Sequence, residues 1–216
     1  LLMRNDDRAA ALGHFDPQTA LLIPYNPDLK DDTVLIVVPA EISMHPALLK
    51  RLPDLSIELV SGGEEGATYR LYRLTDCRCS IESGLAGGGA QFLLPEVDPV
   101  IVGFLGLEFE GAPRPGEPFI VLTHWMALQT GALRLRIFLH LVDSSGNLVA
   151  QSDVLGAPST EWHGGDLIIQ AHDLLLPPDA PSGPYTAHLG LYNPDDSVRL
   201  HTTQGEDAVS VPIASE

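Results

Sequence analysis

The sequence predicts an α+β protein in which a small N-terminal α/β layer precedes an antiparallel β-sandwich. Three observations predict it. From residue 100 to the C-terminus, short stretches of alternating apolar and polar residues recur between turn residues, the rhythm of a sandwich. Nearer the N-terminus, the apolar, mostly β-branched run Thr33-Val34-Leu35-Ile36-Val37-Val38 is followed by a helix-forming stretch and two further strand-like stretches. Between these patterns lies a glycine-rich joint over 84–90, with three consecutive glycines at 87–89. A length of 216 residues suits two cores, and the division falls near Pro95. Residues 1–95 form the small α/β domain and residues 96–216 the sandwich, of an immunoglobulin-like or jelly-roll-like kind.

In order along the chain, residues 6–12 suit a short helix and residues 19–23 a strand ended by Pro24. The run 33–38 lies between Asp31-Asp32 and Pro39. It is apolar in both phases, which predicts a central strand buried on both faces. Residues 46–52 predict a helix with Pro46 in its first turn, Ser43 as cap and Pro53 as terminator. Strands at 56–60 and 68–74 follow, joined by a loop over 61–66.

Eight strands are expected beyond the joint, at 100–110, 118–128, 133–143, 147–154, 166–176, 184–192, 198–202 and 208–213. The clearest is 133–143. There Leu133, Leu135, Ile137, Leu139 and Leu141 share one face, which must be core, and Arg134, Arg136, Phe138, His140 and Val142 share the other. Ser144-Ser145-Gly146-Asn147 closes a hairpin in which Gly146 is free to take a positive φ.

Twelve Lys and Arg against 29 Asp and Glu give a net charge of −17, and the basic residues are scattered. Nucleic acid is therefore a poor partner, because its recognition needs a positive surface to displace counterions. No apolar run approaches the roughly 18 to 20 residues that a membrane-crossing helix requires. The chain begins Leu1-Leu2-Met3-Arg4, without a cationic leader, and reads as a fragment. Cys77 and Cys79 stand two apart, an awkward spacing for a direct bond. They also lack the second ligand pair of a zinc site, and read as structural or incidental thiols.

Candidate chemistry is sparse. Asp153, Glu161, Asp166 and Asp173 offer carboxylates, but acids in sandwich loops more often cap turns than form a glycosidase pair. No Gly-x-Ser-x-Gly elbow occurs, and the triple glycine lacks the lysine of a phosphate loop. His124, His140 and His188 fall on strands, yet nothing in the pattern sets them on one sheet, so they read as surface or hydrogen-bonded residues rather than metal ligands. Trp125, Trp162, Tyr185 and Tyr192 are the aromatics able to stack on sugar rings. Trp125 alternates in phase with Phe119 and Val121 and is expected in the core, whereas Trp162 falls in a loop. No catalytic residue, metal or cofactor is expected.

Trp125, the run Phe138 to Asp153, Trp162, Asp173 to Pro177, and Gly183 to Tyr192 resemble the extracytoplasmic C-terminal region of bacterial polytopic glycosyltransferases of the protein-mannosyltransferase and aminoarabinose-transferase type. The resemblance covers the chain from about Val97 onward. It departs from the family pattern at Val154-Leu155-Gly156-Ala157, where a proline-containing segment is usual. It implies an auxiliary, non-catalytic region outside the cytoplasm, attached to membrane helices of a parent enzyme that uses lipid-linked sugars. Its partners would be those helices and a glycan or lipid-linked sugar. Gln151, Asp153, Asp173 and Arg199 match marked family positions and are expected mainly to hold loops. If the region has a ligand surface, Trp162, His140, Gln151 and Asp153 are its candidates. A free-standing secreted carbohydrate-binding or adhesion module, or a purely structural sandwich, is the alternative.

Overall fold

The computed structural model describes residues 13–25, 34–52, 56–62, 67–74, 85, 87–94, 100–131 and 133–213. The expected N-terminal helix, Cys77, Cys79 and Pro95 lie outside the described residues.

The chain builds three stacked β layers. The middle layer is a six-stranded antiparallel sheet. In sheet order it contains β1 (Ala20–Ile23), β10 (Leu167–Leu175), β7 (Pro118–Ala127), β6 (Val102–Glu110), β5 (Ala90–Leu93) and β12 (His201–Thr202). On one side of it packs a four-stranded sheet of β13 (Val209–Ile213), β11 (Tyr185–Tyr192), β8 (Arg136–Val142) and β9 (Leu148–Val154). On its other side lies a three-stranded sheet of β2 (Val34–Pro39), β4 (Ala67–Leu74) and β3 (Ser56–Gly62), with one helical turn, α1 (Pro46–Leu49).

Strands form in all eight stretches expected beyond the joint, the one at 198–202 shortened to His201–Thr202, and every pairing among them is antiparallel. In β8 the predicted phase holds: Ile137, Leu139 and Leu141 enter the core between the two larger sheets. In that core Trp125 touches Phe104 and Phe92, with ring centroids 4.9 and 5.8 Å apart. At the hairpin after β8, Asp143 accepts backbone N–H bonds from Ser145 and Asn147, both at 2.8 Å, and Gly146 takes φ 81°. The Asn147 side chain, followed by these backbone donors, holds the Asp143 carboxyl below its usual value. Burial, with the Asp143 charge adding to it, raises the Tyr185 phenol.

The N-terminal α/β layer is corrected. Its order of strand, helix, strand, strand stands, but the helix is a single turn and the layer is an antiparallel β-sheet. Ser43 does not cap α1. His45 does, its Nδ1 accepting the Ala47 N–H at 3.2 Å. Nor is β2 central: it is an edge strand, with β4 in the middle. Val34, Ile36 and Val38 are buried, while Leu35, Val37 and Pro39 are only partly covered. Apolar residues in both phases suggest two buried faces, but the outermost layer has a neighbour on one face only.

The sandwich also takes strands from before the expected boundary. β1 hydrogen-bonds to β10 and β5 to β6, so the predicted joint runs directly into sheet structure. Each face of the six-stranded sheet therefore feeds a separate core. Along β10, Ile168 and Leu174 point toward the four-stranded sheet, and Leu167, Ile169 and Ala171 toward the three-stranded one.

Candidate functional site

The outer face of the four-stranded sheet gathers most of the chemistry anticipated on the strands. Alternation in β8 turns Arg136, Phe138, His140 and Val142 away from the core, and β11 does the same with Thr186, His188, Gly190 and Tyr192. Register then sets residues side by side. Ser210, His188, His140 and Gln151 form one row across four strands, and Gly190, Phe138 and Asp153 the next. A Cβ at Gly190 would fall 2.8 Å from the Phe138 ring and 2.9 Å from the Asp207 carbonyl oxygen, so only glycine lets that ring lie across the sheet. Phe138 is covered by the Arg199 guanidinium 4.5 Å from its ring centre, and Arg199 is held by Asp207 at 2.6 Å. The His140 ring lies 5.1 Å from Phe138 and its Nε2 is 3.6 Å from Asp153 Oδ1. His188 Nδ1 meets Ser210 Oγ at 2.8 Å.

Three of the four candidate ligand residues, His140, Gln151 and Asp153, thus share one sheet face over which no layer lies among the described residues. Trp162 does not join them. The 3₁₀ turn Ser159–Glu161 carries it inward to 1% exposure, where its Nε1 donates to the Ala157 carbonyl at 3.1 Å. Its sequence context, Pro158-Ser159-Thr160-Glu161, looks like a solvated loop. In fact the Ser159 hydroxyl is buried, bonding Leu133 O and the Leu135 N–H at 2.6 and 2.8 Å. Trp125 and Tyr185 are also core, which leaves Tyr192 as the remaining sugar-stacking candidate on the face, 6.5 Å from Phe138. Sequence reasoning placed Arg136 and Phe138 beside His140 but missed Arg199 as a neighbour of these groups. The β8 alternation already aligned Arg136, Phe138 and His140, but the partner strands were needed to add His188, Tyr192 and Arg199.

The four acids weighed as a glycosidase pair are dispersed. Asp153 is on the open face, Glu161 bonds His14 at 2.8 Å, and Asp173 faces the three-stranded layer, 3.3 Å from His45 Nε2. Asp166 is buried and gives its oxygens to the Tyr25 and His163 backbone N–H groups. The Ser210–His188 contact uses Nδ1, and among the described residues no carboxylate lies against the other ring nitrogen, so no nucleophile-activating triad is assembled. His124 is buried in the middle sheet, on its side toward the three-stranded layer, donating from Nε2 to Glu108 at 3.0 Å, so it shares no face with His140 and His188. Among the described residues no three His, Cys, Asp or Glu side chains converge to hold a metal.

A second polar group lies inside the sandwich. Trp125 Nε1 donates to Thr123 Oγ1 at 2.9 Å, Thr123 Oγ1 meets His172 Nε2 at 3.1 Å, and His172 Nδ1 meets Ser152 Oγ at 3.1 Å. A neutral ring serves both contacts, one nitrogen donating and the other accepting. Burial lowers the His172 pKa from 6.5 to about 3. The network ties the two larger sheets together, with Thr123, Trp125 and His172 fully buried. An open depression of about 720 Å³, lined by Phe109, Pro113, Arg114, Glu117, Pro212 and Ile213, contains none of the candidate residues.

No protein-family description and no curated protein sequence matches this chain.

Proposed function

We propose that this chain is a non-catalytic, extracytoplasmic region of a membrane glycosyltransferase that uses lipid-linked sugar donors, and that it contributes a glycan- or acceptor-binding surface. Two things support the reading: the motif resemblance from Phe138 to Tyr192, and the scatter of the carboxylates, which fits an accessory rather than a reactive role. The observation that carries the binding role is the register that sets His140, Gln151, Asp153 and His188 on one sheet face, uncovered among the described residues, beside Tyr192. Amide, carboxylate and imidazole groups around an aromatic ring supply the mixed polar and apolar contacts that sugar rings use.

Glycan-array binding by the purified chain, followed by titration calorimetry, tests this. Binding should fall at least tenfold in the Gln151→Ala/Asp153→Ala double variant, with little change in thermal melting because both side chains are exposed. Array-wide absence of binding, or full retention by the double variant, would sink the binding role. A free-standing carbohydrate-binding module would use the same face. Dependence of sugar transfer by the parent enzyme on Gln151 and Asp153 separates the two.

A further inference from the structure

Positive charge is scarce in this chain, and from Pro115 onward the only Lys or Arg residues are Arg134, Arg136 and Arg199. The fold brings all three to one end of the open face. Tyr192 pairs in register with Arg136 on β8 and bridges Arg199 on its other side, so a row across the sheet reads Arg136, Tyr192, Arg199. Two of the three guanidinium groups are already engaged. Arg134 meets Asp195 at 2.7 Å, and Arg199 meets Asp207 at 2.6 Å while lying over Phe138. Arg136 is exposed, and among the described residues no carboxylate lies within ion-pair distance of it.

We propose that this end of the face binds the anionic group, carboxylate or phosphate, of an acidic sugar, and that Arg136 is the residue that selects it. The inference rests on the glycan-binding reading above and names its ligand class. A guanidinium with no carboxylate partner among the described residues offers parallel N–H donors that match two oxygens of a carboxylate or phosphate. On a chain of net charge −17 most of the surface disfavours such a group, and on this face Arg136 is the cation left without a carboxylate among the described residues, so it sets where the group docks. Polarity along the strands orients the ligand. With a rise of roughly 3.3 Å per residue, the Arg136 row lies about 13 Å from the His140–Gln151 row, and Asp153 lies between them. The acid group therefore sits by Arg136 and Tyr192, and neutral hydroxyls sit by Gln151 and Asp153, the Asp153 carboxylate repelling a second anion.

The test is a ¹⁵N-edited NMR titration of the whole chain with two matched pairs: trigalacturonate and its methyl ester, and glucose 6-phosphate and glucose. In at least one pair the charged member should bind at least tenfold more tightly, shifting amides around residues 136, 192 and 199. The pair that discriminates tells carboxylate from phosphate. Arg136→Gln should bring the charged member down to the affinity of its uncharged counterpart, and Arg136→Lys should restore part of the difference. Equal binding within both pairs overturns the acidic-sugar assignment and leaves glycan binding standing. Binding by none of the four also overturns it, and the glycan array then decides the broader reading by itself.

Discussion

The two outer faces of the sandwich differ in what they demand of the rest of the chain. On the six-stranded sheet the outward phase presents Leu21, Ile23, Leu122, Leu167 and Ile169, and a whole further layer is spent covering them. On the four-stranded sheet the outward phase presents His140, Gln151, Asp153, His188 and Ser210, and no layer covers it among the described residues. At about 25 cal/mol per Å² of apolar surface, the first set cannot be left in water without a large cost, while the second loses little by staying there. Charges on the covered face sit at its rim and are matched across the seam, Glu108 with Arg51 and Glu110 with Lys50 and Arg51, while Asp173 meets the His45 ring. Strand composition in the outward phase thus decides which face becomes core and which stays open for a partner.

That contrast predicts unequal responses to substitution. Leu122→Ala, under the three-stranded layer, should cost about 2–5 kcal/mol in urea unfolding, whereas Gln151→Ala on the open face should stay within about 0.5 kcal/mol. Equal effects would mean that the two faces are not energetically distinct.

Histidines extend the contrast to pH. The folded-state pKa of His172 is depressed to about 3, so between there and 6.5 the unfolded chain holds a proton that the folded chain does not. Its contribution is fully present above about pH 6.5 and declines as pH falls, by about 1.4 kcal/mol per unit within that window. Denaturant titrations at pH 7, 5.5 and 4.5 should show this slope flattened in His172→Gln and retained in His140→Gln and His188→Gln, which alter the open face.

A smaller effect, about 1 kcal/mol, is expected for His45→Ala. That residue caps α1 through Nδ1, so its proton resides on Nε2, which faces Asp173. Hydrogen exchange should quicken in β2 and β4 before it does in β7 or β8.

Much of this architecture could be read in the residues themselves. Strand 133–143 declared its faces because every second residue is a large aliphatic, and the downstream strands followed suit. β2 misled because its two phases are equally apolar, so composition could not tell a middle strand from the edge of an outer layer. β5 was hidden by the glycines beside it, which look like a hinge when no pairing partner is visible. Of the site, His140, Gln151 and Asp153 were legible from β8, the hairpin and β9, which are local in sequence. His188 and Arg199 join them through pairings about 50 residues away, and Trp162 left the set because a polar-looking turn folds it inward. Such long-range register is not carried by any short window of sequence.

Because β1 and β5 are woven into the middle sheet, anyone trimming the protein at residue 95 to isolate a binding unit would strip two strands from it. The shortened piece would bare the backbone edges of β10 and β6 and unroof Leu122, Leu167 and Ile169 at a stroke. Precipitation in the test tube would then report a severed sheet, not a faulty ligand surface.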